Sequence, residues 1–171
     1  MYKKFESERL LLIPTLEQDA ELIYQLMNTP KFLKYVGDRK LYSVKAAEKY
    51  IQEKMIPQLN THGYSNYSLI KKTDGTKVGT CGLYDRKGLA GVDIGFGLLP
   101  QYERLGYAHE AACRLMQAAI DEFQIEQIIA ITSKDNISSQ KLLEKLGLEI
   151  VGVTTLPNNK EELLLYKLKT I

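Results

Sequence analysis

Between residues 92 and 123 a strand that must stop, a tight turn and a long amphipathic run follow one another without a gap. The run from Val92 reads Val-Asp-Ile-Gly-Phe-Gly-Leu-Leu and predicts a strand, ended at Pro100 because proline has no N–H to give to a ladder. Further on, Ala108, Ala111, Ala112, Leu115, Met116, Ala119 and Phe123 recur at helical spacing and predict one apolar stripe. The connection between them closes with Gly106 and the small Ala108. A strand delivered through a short turn to a helix start creates an anion site in principle. The first amides of the helix have no internal partner and sit at the positive end of its dipole.

Two common phosphate loops do not fit this stretch. A Walker loop needs Lys-Ser/Thr after its second glycine, and none stands here. A dinucleotide fingerprint needs three glycines, of which only Gly106 is in place. The rest of the composition narrows the field further. A chain of 171 residues with 44% hydrophobic and 26% charged residues is one domain, residues 1–171, large enough for a real core. Its formal net charge of +2, with Lys and Arg scattered among acids, gives no nucleic-acid stripe. No apolar run approaches the roughly 18 residues of a membrane span, and no apolar stretch follows Met1-Tyr2-Lys3-Lys4, so a cytoplasmic protein is expected. Cys81 and Cys113 fall in a strand and a helix and are expected to be buried, reduced thiols.

Taken in order, residues 10–13 form a short apolar strand closed by Pro14. Thr15 with Gln18 predicts a capping box for a helix carrying Leu16, Ala20, Ile23 and Met27 to about Asn28. A broken helical stretch runs from Pro30 to Gly37, and Ser43 caps a further helix that Pro57 kinks or ends. Residues 64–70 and 77–84 read as strands around a Lys72-Thr73-Asp74-Gly75 turn, and Arg86-Lys87-Gly88 turns the chain into the strand at Val92. After the long helix, residues 128–132 form a continuous apolar run, the mark of a strand buried on both faces. Asn136 caps a helix reaching Leu146, with Gly147 at the left-handed C′ position. Residues 148–155 and 161–168 close the chain as a hairpin around Pro157-Asn158-Asn159. The expected class is α/β (α+β), a mixed central sheet in the order β-α-α-β-β-β-α-β-α-β-β.

The segment Glu103-Arg104-Leu105-Gly106-Tyr107-Ala108 resembles the acetyl-CoA motif of the GNAT acetyltransferases, Gln/Arg-x-x-Gly-x-Gly/Ala. Residues 93–112 are similar to the branch that acetylates ribosomal-protein N-termini, as is the opening Ser7-Glu8-Arg9-Leu10-Leu11-Leu12. Asn136-x-x-Ser139 followed by Leu143-Glu144-Lys145-Leu146-Gly147 resembles the second motif of that branch. The element order is that of the GNAT fold, so the resemblance covers nearly the whole chain. Two positions depart from the family pattern. Glu103 puts an acid beside the expected pyrophosphate, with Arg104 next to it as a counter-charge, and Leu143 stands where many members carry a tyrosine.

The resemblance implies an N-acetyltransferase using acetyl-CoA on a primary amine, either a peptide N-terminus or a small molecule, with no metal, nucleic acid or membrane involved. A homodimer is possible. The pantetheine arm would pair along Phe96, Leu98 and Leu99, and the pyrophosphate would meet Arg104, Leu105, Gly106, Tyr107, Ala108 and His109. Each has a plainer reading: Gly106 and Ala108 as helix-on-sheet packing, His109 as an exposed polar residue. Asp93 is the candidate base or a solvated strand-edge acid, and Glu161 and Glu162 are weaker candidates. Ser139 either supports the departing thiolate or is an ordinary first-turn serine, while Asn136 can cap the helix and bind cofactor amides at once. A non-catalytic CoA-binding module on the same fold is the alternative function. Loops around Phe32 to Tyr42 and the Pro157 hairpin are expected to shape the acceptor cleft.

Overall fold

Eight strands form one sheet in the order β1-β2-β3-β4-β5-β6-β8-β7, described by a computed structural model covering residues 2–157 and 159–169. The strands are β1 (Phe5–Glu6), β2 (Leu10–Pro14), β3 (Asn66–Lys71), β4 (Lys77–Tyr84), β5 (Val92–Leu98), β6 (Ile128–Ser133), β7 (Leu148–Thr154) and β8 (Leu163–Leu168). Every neighbouring pair is antiparallel except β5 and β6. The helices are α1 (Ala20–Met27), α2 (Pro30–Tyr35), α3 (Val44–Tyr50), α4 (Ile56–His62), α5 (Tyr107–Asp121) and α6 (Ile137–Lys145). Asn158, expected at the tip of the last hairpin, lies outside the described residues.

Each face of the sheet has its own cover. Tyr107, Ala111, Ala112, Leu115, Ala118 and Ala119 of α5 are buried against Leu10, Leu12, Leu69, Val78, Leu83 and Ile94 of the strands. Alanines on that stripe let the helix axis approach the sheet closely, which a stripe of leucines would prevent. A second apolar cluster joins Ile23 and Met27 of α1 to Ala47, Ile51 and Met55 across the other face. Leu22 and Leu26 of α1 close over Leu99 at the end of β5.

Several local expectations give way to tertiary contacts. Strand β1 was not foreseen, since two residues are too short to show periodicity; it pairs Phe5 with Leu12 and Glu6 with Leu11. The Thr15–Gln18 box does not form, because Thr15 is buried and bonded to Ser68 at 2.8 Å and Asn66 at 2.9 Å. Asp19 takes over by accepting the Leu16 N–H at 3.1 Å. Ser43 does cap α3, accepting from the Ala46 amide at 3.0 Å. Pro57 does not end the helix: a π turn, Ile51–Met55, precedes it and the chain stays helical to His62. A π turn shifts the hydrogen-bond register by one residue, and it is here that the missing proline N–H is absorbed. On α5, Ala108 is only half-buried while Tyr107 is buried. Cys113 is exposed on the outer side of α5, so only Cys81 is a buried thiol. Strands β3 and β8 start two residues later than expected.

Candidate active site

The parallel pair is where the sheet comes apart. Strands β5 and β6 match only at Val92 with Ile128 and Asp93 with Ile129. Past Asp93, β5 runs on to Leu98 beside β4 alone, while β6 pairs with β8 on its other side. A cavity of about 400 Å³ opens at this divergence. Phe96 and Gly97 line one wall, Thr132 and Ser133 the other, and Asn136, Ser139 and Leu143 of the α6 region face it as well. Backbone groups of β5 that turn toward the parting strand have no ladder partner past Asp93.

Asp93 sits at the apex of the divergence, 3% exposed, so the solvated-edge reading of this residue fails. Its carboxylate accepts from Arg86 Nε at 2.5 Å. Burial pushes the Asp93 carboxyl up to about 6, against the opposing pull of the Arg86 guanidinium and an N–H from Ile131. A carboxylate with that value is charged at neutral pH yet still a useful proton acceptor, which few aspartates are. Opposite Asp93 in the ladder stands Tyr84, whose ring lies across the paired glycines Gly82 and Gly95. A side chain at Gly82 would overlap the Tyr84 hydroxyl, and one at Gly95 would come within 3.0 Å of the ring. The phenol donates to Asn66 Oδ1, and burial raises its pKa so that it stays protonated.

At the other end of the site, residues 99–106 carry β5 into α5. Arg104 and Gly106 both hold positive φ, 63° and 85°, and α5 begins at Tyr107. Left-handed backbone is costly for arginine and free for glycine, so Gly106 is the position where that conformation selects its residue. The first helical bond runs from the Glu110 N–H to the Gly106 carbonyl at 3.1 Å, leaving the preceding amides without helical partners. Arg104 and Leu105 are exposed and His109 half-exposed, whereas Leu99 is buried among the α1 leucines. These loop residues and Leu98 lie outside the cavity lined by Asp93, Phe96, Asn136 and Ser139, so the candidates fall into two groups, one around the cavity with Asn136 and Ser139 supplied from the α6 region and one along the loop into α5. The counter-charge of Glu103 is Lys31 of α2, at 2.5 Å, and not its neighbour Arg104.

Asn136 caps α6 by accepting the Ser139 amide at 3.4 Å, and the Ser139 side chain is half-buried. Glu161 accepts from Ser133 Oγ at 3.1 Å on the cavity wall, while Glu162 is an exposed partner of Lys134. Phe32, Tyr35, Val36 and Arg39 line the cavity from the α2 side, and Leu156 and Asn159 from the last hairpin. Tyr50, Lys54 and Gln58 add a third wall. Sequence reasoning missed Arg86. Its signal was the hairpin itself, since the turn at Gly88 returns the chain to pair Tyr84 with Asp93, and Arg86, two residues further on, is then within reach of that carboxylate. No helix among the described residues is long and apolar enough to cross a membrane.

Comparison with known proteins agrees with this geometry. The chain is 34% identical over 101 residues to the uncharacterized N-acetyltransferase YjdG of Bacillus subtilis, a match taking in 57% of this chain and 59% of that protein. It is 25% identical to the uncharacterized N-acetyltransferase YoaA of the same organism across 90% of this chain and 86% of the relative. The ribosomal-protein-S5-alanine acetyltransferase from Vibrio fischeri superposes with a TM-score of 0.77 at 16% identity, covering 96% and 95% of the two chains. A family model described as an acetyltransferase (GNAT) domain matches residues 9–149, and the chain belongs to that family.

Proposed function

We propose that this acetyltransferase moves the acetyl group of acetyl-CoA to a primary amine by direct attack within a ternary complex. The observation that carries the reading is the parting of β5 and β6 immediately after Asp93, which opens the cavity beside an unpaired strand edge. The residues fit the cofactor. The free edge from Phe96 to Leu99 suits the amide-bearing pantetheine arm, and the unpartnered amides of residues 104–109 suit its pyrophosphate. Acetyl-CoA supplies an activated acyl carbon.

Asp93 takes the proton that the attacking nitrogen loses as the new C–N bond forms, directly or through one water. Arg86 holds that carboxylate in place and keeps it charged. When the C–S bond breaks, Ser139 Oγ–H stabilises the thiolate, a task that falls to it because Leu143 is an alkyl side chain buried at the position where a phenol would otherwise stand. Neither cysteine is suited to an acyl-enzyme step: Cys81 is buried with its thiol pushed up to about 12, and Cys113 faces away on α5. The acceptor enters between the α2 wall and the last hairpin, and a peptide N-terminus or a small amine both suit an opening of this size. Association into a homodimer belongs to the same reading; light scattering at micromolar concentration tests it, and a clean monomer ends it.

The test is a thermal shift with acetyl-CoA followed by thiol release over a panel of amines and peptide N-termini. A ligand at 100 times its Kd stabilises the native state by about 2.7 kcal/mol, enough to read as several degrees. Absence of a shift at millimolar acetyl-CoA overturns the reading.

A further inference from the structure

Two sequence signatures about a hundred residues apart meet at the loop described above. Arg9, at the start of β2, and Glu110, in the first turn of α5, join through Arg9 Nε to Glu110 Oε1 at 2.7 Å. Glu110 Oε2 accepts the Arg9 backbone N–H at 2.8 Å and the Ser7 hydroxyl at 2.5 Å, so this carboxylate is held by three donors. Burial alone would raise the Glu110 pKa; the bonds from Ser7 and Arg9 outweigh it and lower the value. With its Nε committed, the same guanidinium donates from Nη1 to the Leu105 carbonyl at 2.9 Å. Its carbon lies 4.4 Å from the centre of the Tyr107 ring, and a side chain at Gly106 would come 3.1 Å from Nη2. One planar group therefore touches residues 105, 106, 107 and 110.

We infer that Arg9 is a positioning residue for cofactor binding: by gripping the Leu105 carbonyl it turns the Gly106 amide toward the pyrophosphate of acetyl-CoA. The reason is peptide geometry. In a planar trans peptide the C=O of one residue and the N–H of the next point in opposite directions. Fixing the Leu105 oxygen against Arg9 fixes the Gly106 N–H on the opposite side of the loop. Without that grip, the peptide between Leu105 and a glycine in left-handed conformation, two residues after Arg104 at φ 63°, is free to flip. Lysine cannot replace Arg9, because a single ammonium has no rigid plane with which to bond the carbonyl, hold the carboxylate and stack on Tyr107 together.

The role rests on the acetyl-CoA reading given above, and the test keeps the two apart. Calorimetric titration of CoA is run on the parent, Arg9→Ala, Arg9→Lys and Glu110→Gln, each checked for folding by thermal unfolding without ligand. Arg9→Ala and Arg9→Lys should each raise the Kd for CoA about tenfold, the scale of a lost charged hydrogen bond. Glu110→Gln, which keeps the shape of the cradle, serves where an Arg9 variant does not fold and should raise Kd about threefold. Hydrogen exchange at the Gly106 amide should quicken in the same variants. A Kd within twofold of the parent in a folded Arg9 or Glu110 variant overturns the positioning role, whatever the change in melting temperature, since a purely structural staple would lower stability and leave affinity alone. A parent that does not bind CoA overturns both readings at once.

Discussion

Arg86 Nε and Asp93 Oδ2 lie 2.5 Å apart across the β4–β5 hairpin, and the carboxylate of that pair is almost wholly withdrawn from water. The pair gives the site an acid–base group tuned by two opposed effects, burial raising its pKa and the guanidinium lowering it.

The pH profile should show this group directly. With Asp93 at about 6 in the folded protein, kcat/KM should show a rising limb near that value as the carboxylate becomes free to accept a proton, followed by the further rise set by deprotonation of the acceptor amine itself. Asp93→Asn should remove this limb and lower the rate by about a hundredfold at neutral pH, with partial recovery at higher pH as free amine accumulates. Stability should move the other way. A carboxyl with a raised pKa binds its proton more tightly in the native state, so native stability falls as pH rises from about 4 to about 6 and is flat above. Equilibrium unfolding across that range checks the sign; a rise through the same window attributable to Asp93 would contradict the raised value.

Arg86→Met should leave the buried carboxylate without its counter-charge. The kinetic limb should then shift upward by about one pH unit or more, since an opposite charge at hydrogen-bond distance lowers a carboxyl by that order. An unshifted limb would mean that Arg86 does not tune Asp93.

Glu103 and Lys31 predict effects of opposite sign. Glu103→Gln frees the Lys31 charge beside the expected pyrophosphate and should tighten CoA binding about twofold at low salt. Lys31→Ala uncovers the acid and should weaken binding by about the same factor. Both changes should fade at high ionic strength. Affinities that do not respond to either substitution would show that the pair lies too far from the phosphates to matter.

Ser139→Ala should lower kcat by about tenfold or more while leaving the Kd for acetyl-CoA within about twofold. Its amide and Asn136 are the parts that build the helix start, and the substitution leaves both in place. An unchanged kcat would assign thiolate protonation to water.

Gly106→Ala should destabilise the protein by about 1–2 kcal/mol, the cost of left-handed backbone to a residue with a Cβ. The added methyl should also crowd the Arg9 guanidinium, 3.1 Å away, and weaken CoA binding. Thermal unfolding with and without CoA separates the two effects.

The strand-turn-helix, seven of the eight strands and the caps at Ser43 and Asn136 were legible in the sequence because each is a local signal: a period, a proline, a polar cap. Local signals failed where a distant residue decided the outcome. Thr15 looked like a cap but is drawn to Ser68 and Asn66, and Glu103 looked like the neighbour of Arg104 but answers to Lys31. Within the site, the candidates along β5 and α6 could be named from motif and spacing. The partners that tune or hold them, Arg86 and Tyr84 around Asp93 and Arg9 beneath the loop, come from turns and strand pairings that a linear reading does not align.

The π turn between α3 and α4 has a consequence for how such a chain can change. Tyr50 before it, Lys54 within it and Gln58 after it line the cavity, and Gln58 donates to the Tyr64 and Leu83 carbonyls at 3.0 and 2.8 Å. A π turn takes up one residue more than an α turn for nearly the same rotation, so loss of a single residue within Ile51–Met55 would restore ordinary helix and leave α3 and α4 in nearly the same orientation. Only the side chain contributed from within the turn, at Lys54, would then change, while Tyr50, Gln58 and the rest of the cavity wall stayed where they are. The lining of the cavity can thus change at one position through a change in length alone, with Asp93, Asn136 and Ser139 untouched.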